Sequence, residues 1–180
     1  MKGMINLNRK GFTLIELLAV ITIMGILMMV AIPSVSRTIE NSRRDTFADN
    51  ALTYVNTVRN AVMADELACG AGATTVSATA NGTYYFAIDT ENQQTKDIME
   101  KVALSSWGNA KVTGYVQWTK TTNSAGRTTT VYSVCLEDTG DHGFSGKSEE
   151  KDVTRTKILT SGADCTSSGK AATGTVCTLK

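Results

Sequence analysis

Glu16 is the one charged side chain between Phe12 and Ile32. A carboxylate in hydrocarbon is costly unless it is protonated, paired, or near enough to the end of a span to reach headgroups. Glu16 lies four residues past Phe12, so the headgroup route is open to it. The paired route needs a cation, and no Lys or Arg occurs between Lys10 and Arg37. That cation must come from another chain or from a newly made amino terminus. A second reactive set is Cys69, Cys135, Cys165 and Cys177, all beyond the apolar run. An even count in a polar domain suits disulfides in an oxidising compartment. Three connectivities are possible; we expect Cys165 with Cys177, closing a Ser/Gly-rich loop, and Cys69 with Cys135, tying a helix end to a central strand.

Other chemistry finds little support. Zinc is disfavoured because there is no Cys-x-x-Cys and His142 is the sole histidine. Asp138, Asp141 and Glu149 offer hard oxygen ligands to Ca²⁺, but the regular ligand ladder of a calcium loop is missing, so the stretch 137–150 reads as a solvated loop. No nucleophile–base spacing, phosphate loop or dinucleotide glycine pattern is present, so neither an enzyme nor a cofactor is expected. His142 then reads as a surface group. Trp107, Trp118, Tyr84, Tyr85, Tyr115 and Tyr132 could stack bases or sugars if exposed, but in strands they read as core.

The elements that must position these residues follow from the pattern of apolar side chains. As helix, Phe12–Ile32 rises roughly 30 Å, the thickness of a bilayer core. A cleavable secretory signal has a shorter apolar core ending in a small-residue site, which Ala31-Ile32-Pro33 fits poorly. Lys2, Arg9 and Lys10 precede the run and no acid does, so the leader is expected inside and the remainder outside. Past Pro33, Val35, Ile39, Phe47, Ala51, Tyr54, Val55, Val58, Val62 and Leu67 recur at helical spacing among charged residues, predicting one apolar face on a helix that reaches about Ala68. From Gly70 onward Thr, Ser and Gly dominate. Strands are predicted at 83–88, 112–119 and 128–136, the last two as a hairpin, with a short helix over 97–104 and a final strand at 154–159 or 175–179. Three or four antiparallel strands on one long helix make an α+β domain. The net charge of +1 leaves no broad basic surface, so nucleic acid is an unlikely electrostatic partner.

The segment Lys10-Gly11-Phe12-Thr13-Leu14-Ile15-Glu16-Leu17-Leu18, with Gly25 and Pro33 further on, resembles the class III signal and N-terminal helix of type IV pilins and pseudopilins. The resemblance covers about residues 8 to 40. It implies a leader, 1–11, removed after Gly11 by a prepilin peptidase that also N-methylates Phe12. It implies a membrane and filament-core helix over 12–33, packing through Leu14, Ile15, Leu17 and Leu18, with Glu16 meeting the new amine of a neighbouring subunit. The amphipathic second half, 34–69, and a Thr/Ser/Gly-rich head, 70–180, would lie outside. Gly25 and Pro33 both weaken helix, so a bend or melted stretch between them stands beside an intact, mildly kinked helix. Expected partners are lipid before assembly, a pilus assembly platform, and copies of this chain or other pilins in a surface filament. A pseudopilin of a secretion system, a competence pilin, or a membrane-anchored binding protein that does not polymerise are the alternatives.

Overall fold

A computed structural model describes residues 11–70, 76–77, 80–99, 105–108, 111–167 and 169–180. All of the leader but Gly11 lies outside them. The chain divides into two units, 1–40 and 41–180. Helix α1, Leu14–Met63, contributes to both and is helical through Gly25 and Pro33.

Within the first unit, no described side chain of the helix is buried. Its apolar side chains from Phe12 to Ile32 are exposed, with Phe12 at 91%, Leu14 at 83% and Val30 at 74%. Three hydroxyls fold back on their own backbone: Thr22 donates to the Ala19 carbonyl at 2.8 Å, Ser36 to Ile32 at 3.0 Å and Thr38 to Ser34 at 3.0 Å. Such back-bonding hides each hydroxyl and leaves a carbon surface. Val35 and Ile39, expected on the buried face, are also exposed.

In the second unit α1 becomes a core element. Phe47, Ala51, Tyr54, Val55, Val58 and Val62 are buried at the predicted spacing. The helix stops at Met63, earlier than predicted, because Asp65 takes a left-handed conformation with φ 54°. The Glu66 N–H then donates to the Ala61 carbonyl at 3.0 Å and the Asp65 N–H to Val62 at 3.3 Å, which closes the helix end in a Schellman cap. Leu67, expected on the helix, opens a strand instead.

The described strands are β1 (Leu67–Cys69), β2 (Val76–Ser77), β3 (Gly82–Asp89), β4 (Val112–Thr122), β5 (Thr128–Asp138), β6 (Gly143–Phe144), β7 (Ser148–Glu149), β8 (Ile158–Leu159) and β9 (Thr175–Leu179). They form one sheet in the order β2-β1-β9-β3-β4-β5-β6-β8, with β7 also on β5. The β4–β5 hairpin is as predicted. The sheet is larger than the three or four strands expected, and β9 runs parallel to β3 where only antiparallel pairs were anticipated. Much of the excess is two-residue strands, too short to leave a periodic trace. Both final-strand sites, 158–159 and 175–179, are used. The stretch 137–150 holds the end of β5 with β6 and β7, not one solvated loop. A short helix α2, Gln93–Ile98, starts from the Asn92 side chain, which accepts the Gln94 N–H at 2.9 Å, ahead of the predicted 97–104; residues 100–104 lie outside the described residues.

Both faces of the central strands are covered, and this explains why β5 is buried without alternation from Tyr132 to Leu136. One face carries Val116, Trp118, Tyr132 and Val134 in the same core as α1, with Arg59 of α1 4.7 Å from the Tyr132 ring centroid. The other carries Tyr115, Gln117 and Cys135 and lies under a strap whose described residues are 160–167 and 169–174. The Tyr115 hydroxyl donates to the Lys170 carbonyl at 2.5 Å, and Thr173 donates its N–H and hydroxyl to Gln117 Oε1 at 3.1 and 3.2 Å.

The disulfides join Cys69 to Cys177 and Cys135 to Cys165, which corrects the expected pairing. Cys69 and Cys177 are directly opposite in the β1–β9 ladder, and Cys165 lies on the strap over β5. With β9 drawn into the sheet, Cys177 meets β1 rather than its sequence neighbour Cys165. Beyond Lys120 the β4–β5 ribbon leaves the core, and every residue from Thr121 to Val131 is exposed.

Candidate functional site

The helix begins with a reciprocal pair. Thr13 precedes the first helical residue, and its N–H and hydroxyl each donate to Glu16 Oε2 at 2.8 Å, while the Glu16 N–H lies 3.3 Å from the Thr13 hydroxyl. A Thr-x-x-Glu box of this kind satisfies donors that a helix start leaves without partners. Within its own chain, then, the Glu16 carboxylate is bound by neutral donors. Thr13 enters the site through a spacing that attention to the charge of Glu16 alone passes over.

Leu14, Ile15, Leu17 and Leu18 surround this cap and are all more than half exposed. A Cβ added at Gly11 or Gly25 would meet nothing within 4 Å. Packing inside this chain therefore gives no reason for glycine at either place. That helix is long and apolar enough to cross a membrane, and none of its most apolar window is buried.

In the head, the oxygen ligands weighed for Ca²⁺ have other partners. Asp138 is wholly buried and turned inward: its carboxylate accepts the Gly140 N–H at 2.8 Å, the His142 N–H at 3.0 Å, the Ser105 hydroxyl at 2.5 Å, and bonds His142 Nδ1 at 2.9 Å. Glu149 is paired with Lys151 at 2.9 Å. Among the described residues no group of three or more His, Cys, Asp or Glu could hold a metal ion. His142, expected at the surface, is 19% exposed and stacks on Trp107 with 4.4 Å between ring centroids and 7° between planes. The sequence offered one trace of this, an Asp four residues before the His across a Thr-Gly turn. Ser105 bonds the carboxylate rather than the imidazole, so the three do not form the nucleophile–base–acid order of a hydrolase.

Trp118, Tyr84, Tyr115 and Tyr132 are buried, as predicted for core aromatics, and burial pushes the Tyr115 and Tyr132 hydroxyls up from their ordinary pKa. On the strap, the Ser167 hydroxyl with the Ser167 and Thr166 N–H groups and the Lys170 ammonium hold the Asp164 carboxyl well below the usual carboxylate range. Lys111 is raised by Glu91 and Asp89 beside it. These are fastenings of exposed segments and do not form a reaction centre.

Residues 6–32 match the family described as the prokaryotic N-terminal methylation motif. No curated protein and no solved structure matches the chain. A cap centred on Glu16, an uncovered apolar helix and an α+β head stand behind that motif. The chain carries, at residues 6–32, the class III signal of type IV pilins and pseudopilins.

Proposed function

We propose that this chain is the structural subunit of a type IV pilus-like filament, held first in the membrane by Phe12–Ile32, cut after Gly11, N-methylated on Phe12, and polymerised through the same helix. The observation that carries this reading is a methylation motif leading into an apolar helix with no cover of its own. Such a surface stays in lipid or against other copies, since each large side chain gains about 1.5–3 kcal/mol by avoiding water. Assembly exchanges lipid contacts for helix contacts.

Each motif residue then has a task. Gly11 leaves room for the peptidase, Phe12 supplies the new amine, and the Glu16 carboxylate, already oriented by Thr13, accepts that amine from a neighbour. A subunit slipped along the axis would leave a buried charge unpaired, which costs about 3–5 kcal/mol, so the pair sets axial register. Gly25 offers a notch where a neighbouring helix can approach. Together with Pro33, whose ring removes a hydrogen bond to Met29, it marks where the helix yields on packing.

The leader faces the cytoplasm and the head the outside, where its two disulfides persist. The test is Gly11→Val in the native host, with the mature chain sized by mass spectrometry and shear fractions viewed by electron microscopy. Retention of residues 1–11 and loss of filaments are expected. A mature chain of unchanged size overturns the processing step, and an absence of this chain from parental filaments overturns the polymer.

A further inference from the structure

Strand β9 fills an interior lane of the sheet. It is antiparallel to β1, with Leu67 opposite Leu179, and parallel to β3, with Tyr84 opposite Thr175. Among the described residues it is the only strand that joins β1 and β2 to β3. The lane is closed at one end by Lys180, whose N–H donates to the Glu66 carbonyl at 2.9 Å and whose ammonium lies 2.5 Å from Asp65 in the helix cap. At the other end Gly174 turns in with φ 103°, where a Cβ would sit 2.2 Å from the Thr83 carbonyl oxygen.

Apolar burial along this strand is partial, with Leu179 packed half-buried against the core and Val176 half-buried. Cys177 is its one buried side chain, and Thr178 is exposed. The buried atom is thus the sulfur that bonds Cys69. The second disulfide has a different setting, because β5 is also held by its pairing with β4 along eleven residues and with β6 and β7.

We propose that Thr175–Leu179 is a redox-controlled latch: with Cys69 and Cys177 reduced the strand leaves its lane and the sheet parts between β1 and β3, and oxidation of the pair closes it. Closure proceeds by thiol–disulfide exchange with an external disulfide. The Cys69 thiolate attacks that disulfide and expels one external thiol; the Cys177 thiolate then attacks the mixed disulfide and expels the second. Two electrons pass to the external pair, and the two protons leave with its thiols. The open form presents two unpaired strand edges, which template pairing with other chains. The inference does not depend on the filament reading.

Hydrogen exchange, read by mass spectrometry on the full chain in detergent, tests it. Cys69→Ser/Cys177→Ser and the parent under graded dithiothreitol are compared with Cys135→Ser/Cys165→Ser. Opening the first pair is expected to speed amide exchange in Leu67–Cys69 and Thr175–Leu179 about 100-fold while β4 and β5 keep their protection. Opening the second pair frees the strap and leaves β9 protected. The latch is overturned if β9 amides stay within about threefold of the parent once Cys69–Cys177 is open, or if β4 and β5 accelerate in step with β9.

Discussion

The Glu16 carboxylate takes both donors of Thr13, the backbone N–H and the hydroxyl, each at 2.8 Å. One side chain therefore serves the start of its own helix and, in the filament proposed above, would also meet a neighbour's amine. These duties separate chemically, because Gln closes the same box without a charge.

Glu16→Gln is expected to retain helix content and leader removal but to lower filament yield about tenfold or more, the effect of about 1.4 kcal/mol lost per contact. Thr13→Ala removes the cap, at a cost of about 1 kcal/mol to the helix start, and keeps the charge. Immunoblots of shear fractions decide between them. Equal yield from Glu16→Gln and parent sinks the register mechanism.

Asp138 is a buried carboxylate held by four donors. Asp138→Ala strands the Ser105 hydroxyl and the Gly140 and His142 N–H groups, so a loss of about 3 kcal/mol or more is expected in urea unfolding of the full chain in detergent. His142 would also lose its anchor beneath Trp107, so tryptophan emission should shift before the main transition. A variant as stable as the parent would show that the cluster contributes nothing.

Gly114 lies in β4 with φ 145°, and a Cβ there would be 2.1 Å from the Cys135 carbonyl oxygen. Gly114→Ala is expected to cost about 3 kcal/mol or more, since backbone rather than a flexible side chain must give way. Gly126 has φ 77° and open space around it, so Gly126→Asn should cost less than about 1 kcal/mol. Thermal melts of the two variants side by side check the contrast.

The strap should be sensitive to acid. Hydrogen bonds from Ser167 and Thr166 and the Lys170 ammonium depress the Asp164 pKa in the folded chain. A depressed carboxylate stabilises fully above the unfolded value, about 3.9, and loses that contribution as pH falls toward the folded pKa. The gap in melting temperature between parent and Asp164→Asn should be widest above about pH 5 and shrink steadily below about pH 4. A gap that does not change with pH would remove Asp164 as the cause.

Local chemistry was legible in the sequence and long-range topology was not. The amino-terminal motif, the β4–β5 hairpin around Asn123–Gly126 and the buried aromatics each rest on neighbours a few residues apart. The disulfide pairing rests on β9 entering between β1 and β3, which no local periodicity encodes. His142 is covered by Trp107, which reaches it from a segment far off in the sequence, although its partner Asp138 stands only four residues away. The helix end was overrun because Asp65, not a glycine, takes the left-handed position that stops it.

The β4–β5 ribbon has a practical consequence. Its tip is closed by Asn123, whose side chain accepts the Ala125 and Arg127 N–H groups at 3.1 and 2.8 Å, and no residue from Thr121 to Val131 is needed to fill the core. A short epitope or dye-binding tag spliced between Ser124 and Ala125 would ride on a hydrogen-bonded stalk outside the core of the head. Individual molecules could then be counted by light without touching the side chains that fill the core.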